Sequence, residues 1–185
     1  DNLTVKCIGT NTLKAQKAAI SLKSSMTING GGILNVESEK DCAIYVNNAN
    51  LVVEDCTLNA KSKLYGISGN NGESENLTIR NANVTAEGTE RGSIVDFASL
   101  FMEGCSITQP TGAKFDKAKH CVVLNGEKVK TKVVIAKNAN AIDTPSADEA
   151  TATTIYNLSG MRLSAELKQL PKGVYIVNGK KVVKP

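Results

Sequence analysis

One short phrase occurs five times in about the first 110 residues, and it constrains the fold more than any other feature. The second residues of the five copies are Leu3, Met26, Leu51, Leu77 and Leu100. The intervals between them are 23, 25, 26 and 23 residues. A repeat of this length is typical of one coil of a solenoid, in which each repeat packs on the next.

Within each copy, apolar and polar residues alternate, as at Leu51 and Val53, which indicates a strand with one buried face. The alternation breaks near Cys56 and Ala82, where we expect a bend, and a further short apolar run such as residues 43–46 completes each coil. Strands that recur in the same order stack about 4.8 Å apart. We therefore predict an all-β fold, a single-stranded parallel β-helix of about five coils, followed by a small antiparallel β element.

A leucine-rich repeat is the main alternative, because its period reaches a similar length. It requires an LxxLxLxxN-type phrase and a helical return segment. The returns in this chain, such as residues 59–75, lack helical periodicity and are rich in Gly and Asn. The β-helix is therefore the better interpretation.

The repeat phrase fades after its fifth copy. Residues 122–129 centre on Asn125-Gly126 and predict a hairpin with a type I′ turn, and residues 133–135 predict another strand. We assign residues 116–136 to the last coil and a cap that covers the open end. The solenoid domain is then 1–136.

The remainder of the chain has a different composition. Residues 137–153 are small and polar without apolar periodicity, which is typical of a linker. Residues 154–185 predict a small β tail that ends in a hairpin around Asn178-Gly179.

The charge balance excludes some classes of function. Residues 1–135 carry 15 Lys and Arg against 14 Asp and Glu, so we expect no nucleic-acid binding, which needs a clustered basic face. No apolar run reaches about 18 residues, so we predict no transmembrane segment.

The chain has five cysteines, none in a CxxC pair, and a single histidine, so a zinc site is not expected. Cys56 and Cys105 share one position of the repeat with Ala82 and Gly31. A position filled by small residues predicts buried free thiols, although a disulfide in an oxidising compartment stays open.

Two sets of residues are candidates for binding. Tyr45 and Tyr65 are the tyrosines of the solenoid and could stack on sugar rings, with Asn47 and Asn70 in equivalent turns beside them. The alternative is that the tyrosines are ordinary strand residues and that the asparagines stack along the solenoid.

Three carboxylates alternate at Glu37, Glu39 and Asp41, which on a strand would project from one face and offer oxygens to calcium. The alternative is a solvated turn. Glu54-Asp55 and Glu103 occupy matching positions of the repeat and could form a stacked acidic stripe on a neighbouring face.

Catalysis is not predicted. β-Helix enzymes that cleave polyuronides use clustered carboxylates, with an Arg or Lys base or a pair of Asp residues. The solenoid has two arginines, Arg80 and Arg91, and no coil shows paired Asp residues.

Two segments of the tail, IYNLSGMRL (155–163) and LPKGVYIVNGKKVVK (170–184), resemble the C-terminal sorting domain of the type IX (Por) secretion system. That resemblance implies export through this machinery to the surface of a Gram-negative cell, or beyond it. The repeats of residues 1–135 resemble the right-handed β-helices of secreted adhesin-like and carbohydrate-binding proteins and, more distantly, pectate lyases.

We therefore expect an exported binding protein of the cell envelope that recognises a polysaccharide or a cell-surface glycan on a flat solenoid face. An adhesin or scaffold that binds a protein partner is the alternative, and a degenerate polyuronide lyase is a third. A contiguous exposed apolar patch would favour the protein partner, and exposed Tyr with polar Asn or Asp neighbours would favour the glycan.

Overall fold

The structure is a computed structural model that describes residues 2–138, 155–159, 161–163, 167–177 and 180–184. The chain divides into two compact units, residues 1–139 and 140–185. Each unit is built from β-strands, with one turn of 3-10 helix at Leu167–Gln169 in the second.

The first unit contains four complete coils of three strands each. The first coil has β1 (Leu3–Lys6), β2 (Thr10–Ala15) and β3 (Ile20–Leu22). The second has β4 (Met26–Asn29), β5 (Ile33–Ser38) and β6 (Cys42–Val46). The third has β7 (Asn50–Glu54), β8 (Thr57–Ser62) and β9 (Tyr65–Ser68). The fourth has β10 (Asn76–Arg80), β11 (Asn83–Gly88) and β12 (Gly92–Val95).

Corresponding strands of successive coils pair in parallel and form three sheets. We name them sheet A (β1, β4, β7, β10), sheet B (β2, β5, β8, β11) and sheet C (β3, β6, β9, β12). The register aligns the second residue of every repeat phrase: Leu3, Met26, Leu51, Leu77 and, from the next strand, Leu100. The predicted parallel β-helix is confirmed.

Aliphatic side chains from all three sheets fill the interior. Ile28, Leu58, Ile67 and Ile79 are fully buried, and Phe97 joins them near the end of the stack. Tight turns between the strands use residues that tolerate positive φ, for example Asn48 (50°) and Asn81 (44°). Because the strands are short and the turns are tight, the core is narrow and is filled mainly by aliphatic side chains.

The fifth coil is incomplete, so the solenoid of about five predicted coils has about four full turns. β13 (Ser99–Glu103) adds to sheet A in parallel, and β14 (Cys105–Gln109) follows it. Three short strands come next: β15 (Lys114–Asp116), β16 (Cys121–Leu124) and β17 (Glu127–Lys128). β18 (Val133–Lys137) then lies antiparallel between β11 and β14 and takes the position that a fifth parallel strand would occupy.

The cap of this end closes sheet C as well, because β16 pairs antiparallel with β12 and β15. The predicted hairpin is confirmed: Leu124 pairs with Glu127, and both turn residues, Asn125 (52°) and Gly126 (83°), have positive φ. The opposite end differs, because β1, β2 and β3 are the outermost strands of their sheets.

The second unit contains a four-stranded antiparallel sheet in the order β20–β19–β21–β22. Its strands are β19 (Ile155–Tyr156), β20 (Arg162–Leu163), β21 (Gly173–Val177) and β22 (Lys180–Lys184). The predicted tail hairpin is present as the β21–β22 pair, in which Val177 faces Lys180. The Asn178-Gly179 turn, and residues 139–153 of the predicted linker, lie outside the described residues.

Candidate functional site

A groove of about 410 Å³ runs across the turns that join sheet B to sheet C. It is lined by Lys14, Ala15, Glu37, Ser38, Glu39, Lys61, Ser62, Lys63 and Thr89. Its lining comes from four successive coils: Lys14 and Ala15 end β2, residues 37–39 and 61–63 cover the ends of β5 and β8 with the turns that follow, and Thr89 lies in the turn after β11. Two of the predicted site residues, Glu37 and Glu39, lie in this groove.

Along sheet B, side chains of alternating charge form a ladder beside the groove. The strand register places Lys14 next to Glu37, Glu37 next to Lys61, and Lys61 next to Glu87. Lys14 Nζ lies 2.7 Å from Glu37 Oε2, and the side chains are 67% and 45% exposed, respectively. An exposed pair of this kind contributes only about 0–1 kcal/mol, so a ligand can replace it at little cost.

The hydroxyl groups of the groove hold the turns in place. Ser38 Oγ donates to the carbonyl of Lys17 at 2.8 Å, and Ser62 Oγ donates to the carbonyl of Asp41. Thr89 Oγ1 donates to the carbonyl of Lys63 at 3.1 Å. The groups that remain to meet a ligand are therefore mainly the ammonium groups and the carboxylates.

The predicted strand face of three carboxylates is wrong, because β5 ends at Ser38 and β6 begins at Cys42. Glu37 lies on a strand, whereas Glu39 and Asp41 lie in the turn. Among the described residues, no three His, Cys, Asp or Glu side chains are grouped so that they could hold a metal ion. The calcium prediction therefore gains no support from the geometry.

Of the candidate sugar-binding residues, Tyr45, Asn47 and Asn70 lie at the other end of sheet C, whereas Tyr65 is the first residue of β9. The Tyr45 hydroxyl donates to Asn70 Oδ1 at 2.5 Å, so these two predicted residues do meet across adjacent coils. Asn47 Oδ1 is buried without a protein hydrogen-bond partner. Tyr65 packs instead against a small cluster of Val95, Cys121 and Val123. Both rings are half-buried, and neither lines the groove.

The predicted acidic stripe is wrong, because Arg80 lies between its members. The register aligns Arg80 with Glu54 on one side and Glu103 on the other. Arg80 Nε lies 3.1 Å from Glu103 Oε2, and its Nη1 lies 4.0 Å from Glu54 Oε2. As expected from its alternation with Ile79, Arg80 is exposed.

Asparagine ladders are present, but not in the predicted turns. Asn76 Nδ2 donates to Asn50 Oδ1 at 2.9 Å, and Asn59 Nδ2 donates to Asn35 Oδ1 at 2.9 Å. Ser99 Oγ extends the first ladder by donating to Asn76 Oδ1 at 2.6 Å. These contacts join neighbouring coils and leave few of these amides for a ligand.

Sequence reasoning missed Glu75, a carboxylate that is only 1% exposed. Its Oε1 accepts the backbone N–H of Asn48 at 2.9 Å, and its Oε2 accepts that of Ser74 at 3.4 Å. Burial alone would raise the pKa of Glu75, but these backbone N–H donors outweigh it and hold the pKa below its usual value. Glu75 lies two residues before the leading leucine of its repeat, where the neighbouring coils have Ala49 and Ala98. A glutamate in a position otherwise filled by alanine was the sequence signal that could have identified it.

The five cysteines are free and buried, which confirms the prediction. Burial raises the pKa of the Cys42 thiol to about 12 and that of Cys56 to about 11. A thiolate is the nucleophilic form, so these two groups are poor nucleophiles at neutral pH.

Comparison with protein-family models, curated proteins and solved structures finds no match for this chain. Among the described residues, no helix has both the length and the apolar character needed to span a membrane.

Proposed function

We propose that this protein binds a polysaccharide in the groove between sheets B and C. The observation that carries the proposal is the lining, which places cationic and anionic side chains side by side across successive coils. A sugar chain presents hydroxyls that both donate and accept hydrogen bonds; the lysine ammonium groups donate to them and the glutamate carboxylates accept from them. A linear polymer also fits a groove that crosses several coils.

The groove needs little rearrangement to accept such a ligand. Its backbone is fixed by the parallel ladders of β2, β5 and β8. The ion pair between Lys14 and Glu37 is solvent-accessible, so breaking it costs little free energy. Charge-assisted hydrogen bonds to hydroxyls would then take the place of solvated contacts.

We propose binding rather than cleavage. Glu37 and Glu39 belong to one coil and flank Ser38 on the same stretch of chain. Glycoside hydrolysis by a carboxylate pair needs the two groups on either side of the scissile bond. The proposal also includes export to the cell envelope, supported by the resemblance of residues 155–163 and 170–184 to the type IX sorting domain.

The groove can be tested with a charge-neutral double substitution. Lys61→Ala with Glu39→Ala is expected to weaken binding to a responding glycan about tenfold or more, because hydrogen bonds to charged groups contribute about 1.5–3 kcal/mol each. Calorimetric titration with a panel of neutral and acidic polysaccharides measures this, with calcium and then with chelator.

The matched control is Lys23→Ala with Glu73→Ala, which removes the same charges from exposed sites outside the groove. It should bind like the unmodified protein. Failure of the whole panel to bind, or equal losses in the two double variants, would remove the groove as a glycan site. Binding that depends on calcium would point back to Glu37, Glu39 and Asp41.

A further inference from the structure

The cap that closes the first unit has a charge opposite to that of the coils it covers. Residues 114–137 contain seven lysines against two carboxylates, a net charge of +5. Residues 1–113 contain nine Lys and Arg against twelve Asp and Glu, a net charge of −3. The near neutrality of the solenoid as a whole conceals this separation.

Strand pairing gathers part of this charge on one side of the cap. Lys114 and Lys128 both pair with Val123, one from each neighbouring strand. Residues paired in this way project from the same side of a sheet, so the two lysines lie about 10 Å apart on the outer face. The stem of Lys128 runs beside Gly92, where an added Cβ would lie 3.0 Å from its Cδ.

The chain that follows adds more cations. Lys128 and Lys130 are exposed on either side of the buried Val129, and Lys132 is exposed just before the buried Val133. Alternation of this kind in an extended segment directs the valines inward and the lysines outward. We name Lys114, Lys128, Lys130 and Lys132 the lysine patch.

The charges of the lysine patch are not neutralised by the part of the chain that the structure describes, where the ion pairs involve Lys14, Lys63 and Arg80 instead. The carboxylate of Asp116, the nearest in sequence to Lys114, accepts the backbone N–H groups of Ala118 and Lys119. The lysine patch thus differs from the coils, in which opposite charges alternate along ladders.

We propose that the lysine patch binds an acidic polysaccharide, one that carries carboxylate or sulfate groups. Clustered, unpaired cations attract a polyanion at long range and retain it through several weak contacts. The site is separate from the groove, and the inference does not depend on glycan binding there.

A nucleic acid is the less suitable polyanion for this surface. The cap contains no arginine, the residue whose planar group pairs with phosphate in two places. Its one aromatic residue, Phe115, is half-buried and packs on the core, so it offers no open ring for a base.

The test compares two triple variants of the full chain. The first variant combines Lys128→Gln, Lys130→Gln and Lys132→Gln. It should bind polygalacturonate about tenfold or more weakly at low salt, and its affinity should depend less on salt concentration. Lys17→Gln with Lys23→Gln and Lys40→Gln removes the same charge from exposed positions in the first two coils and should retain most of the affinity. All six substituted lysines are exposed, so both variants should fold, and circular dichroism tests this.

Three outcomes would overturn the proposal: no binding of polygalacturonate or of a sulfated glycan by the unmodified protein, equal losses in the two triple variants, or tighter binding of single-stranded or duplex DNA at the same salt. Loss of binding in the groove variant Lys61→Ala with Glu39→Ala, but not in the patch variant, would likewise overturn the lysine patch and support the groove alone. Loss in the patch variant alone would support the lysine patch without the groove.

Discussion

Leu77→Ala is expected to lower the free energy of unfolding by about 2–5 kcal/mol, the range measured for buried leucines that leave a cavity. Leu77 is fully buried between Leu51 and Leu100 in the column of leading apolar residues. The core is narrow and its walls are fixed by backbone ladders, so it cannot collapse easily into the space. Urea denaturation followed by circular dichroism measures the change.

The same column supplies the control. Leu3 occupies the corresponding position in the first coil but is 54% exposed. Leu3→Ala removes the same atoms and should cost less than about 1 kcal/mol, as exposed substitutions do. A loss at Leu77 as small as the one expected at Leu3 would contradict the burial of Leu77 in this column.

Glu75→Gln is expected to lower the free energy of unfolding at pH 7 by about 1–3 kcal/mol, because the neutral amide is a weaker acceptor for the buried backbone N–H donors. The Glu75 carboxylate joins two coils through its contact with Asn48, 27 residues earlier in the chain. An exposed glutamate two residues away, Glu73, provides the control, and Glu73→Gln should have little effect.

The stability that Glu75 contributes depends on pH, and the direction follows from its lowered pKa. The carboxylate is favoured in the folded state, so its contribution is complete above the unfolded pKa of about 4.3. The contribution is lost as the pH falls through the lower folded pKa. The difference between the unmodified protein and Glu75→Gln should therefore shrink between pH 7 and pH 3. A constant difference would contradict the role of the charged form.

The candidate site was only partly predictable. Glu37 and Glu39 were recognised, but as calcium ligands on a strand, because alternation in the sequence continues past the residue where β5 ends. Lys14 and Lys61 were not recognised, since each became a site residue only through its neighbours in the next coils. Tyr45 and Asn70 were placed in different coils, and only stacking showed that they share a hydrogen bond.

Charge was the least predictable property. Glu54 and Glu103 looked like an acidic stripe because they match in the repeat, yet Arg80 occupies the coil between them. The positive charge of the cap was not recognised, because its lysines were counted together with the acidic residues of the preceding coils. Interactions between charges depend on distances in space, and residues of one coil have their nearest charged neighbours about 24 positions away in the chain.

The sequence by itself determined the β-helix, its period and the column from Leu3 to Leu100, because the alternation of apolar residues is local and recurs with every coil. The Asn-Gly hairpin at residues 125–126 was equally local, since two adjacent residues with positive φ define its turn. Only the tertiary structure decided that β18 enters between β11 and β14, which side chains line the groove, and where the lysine patch lies. Those features arise from pairing between distant segments, and no local pattern specifies which segments meet.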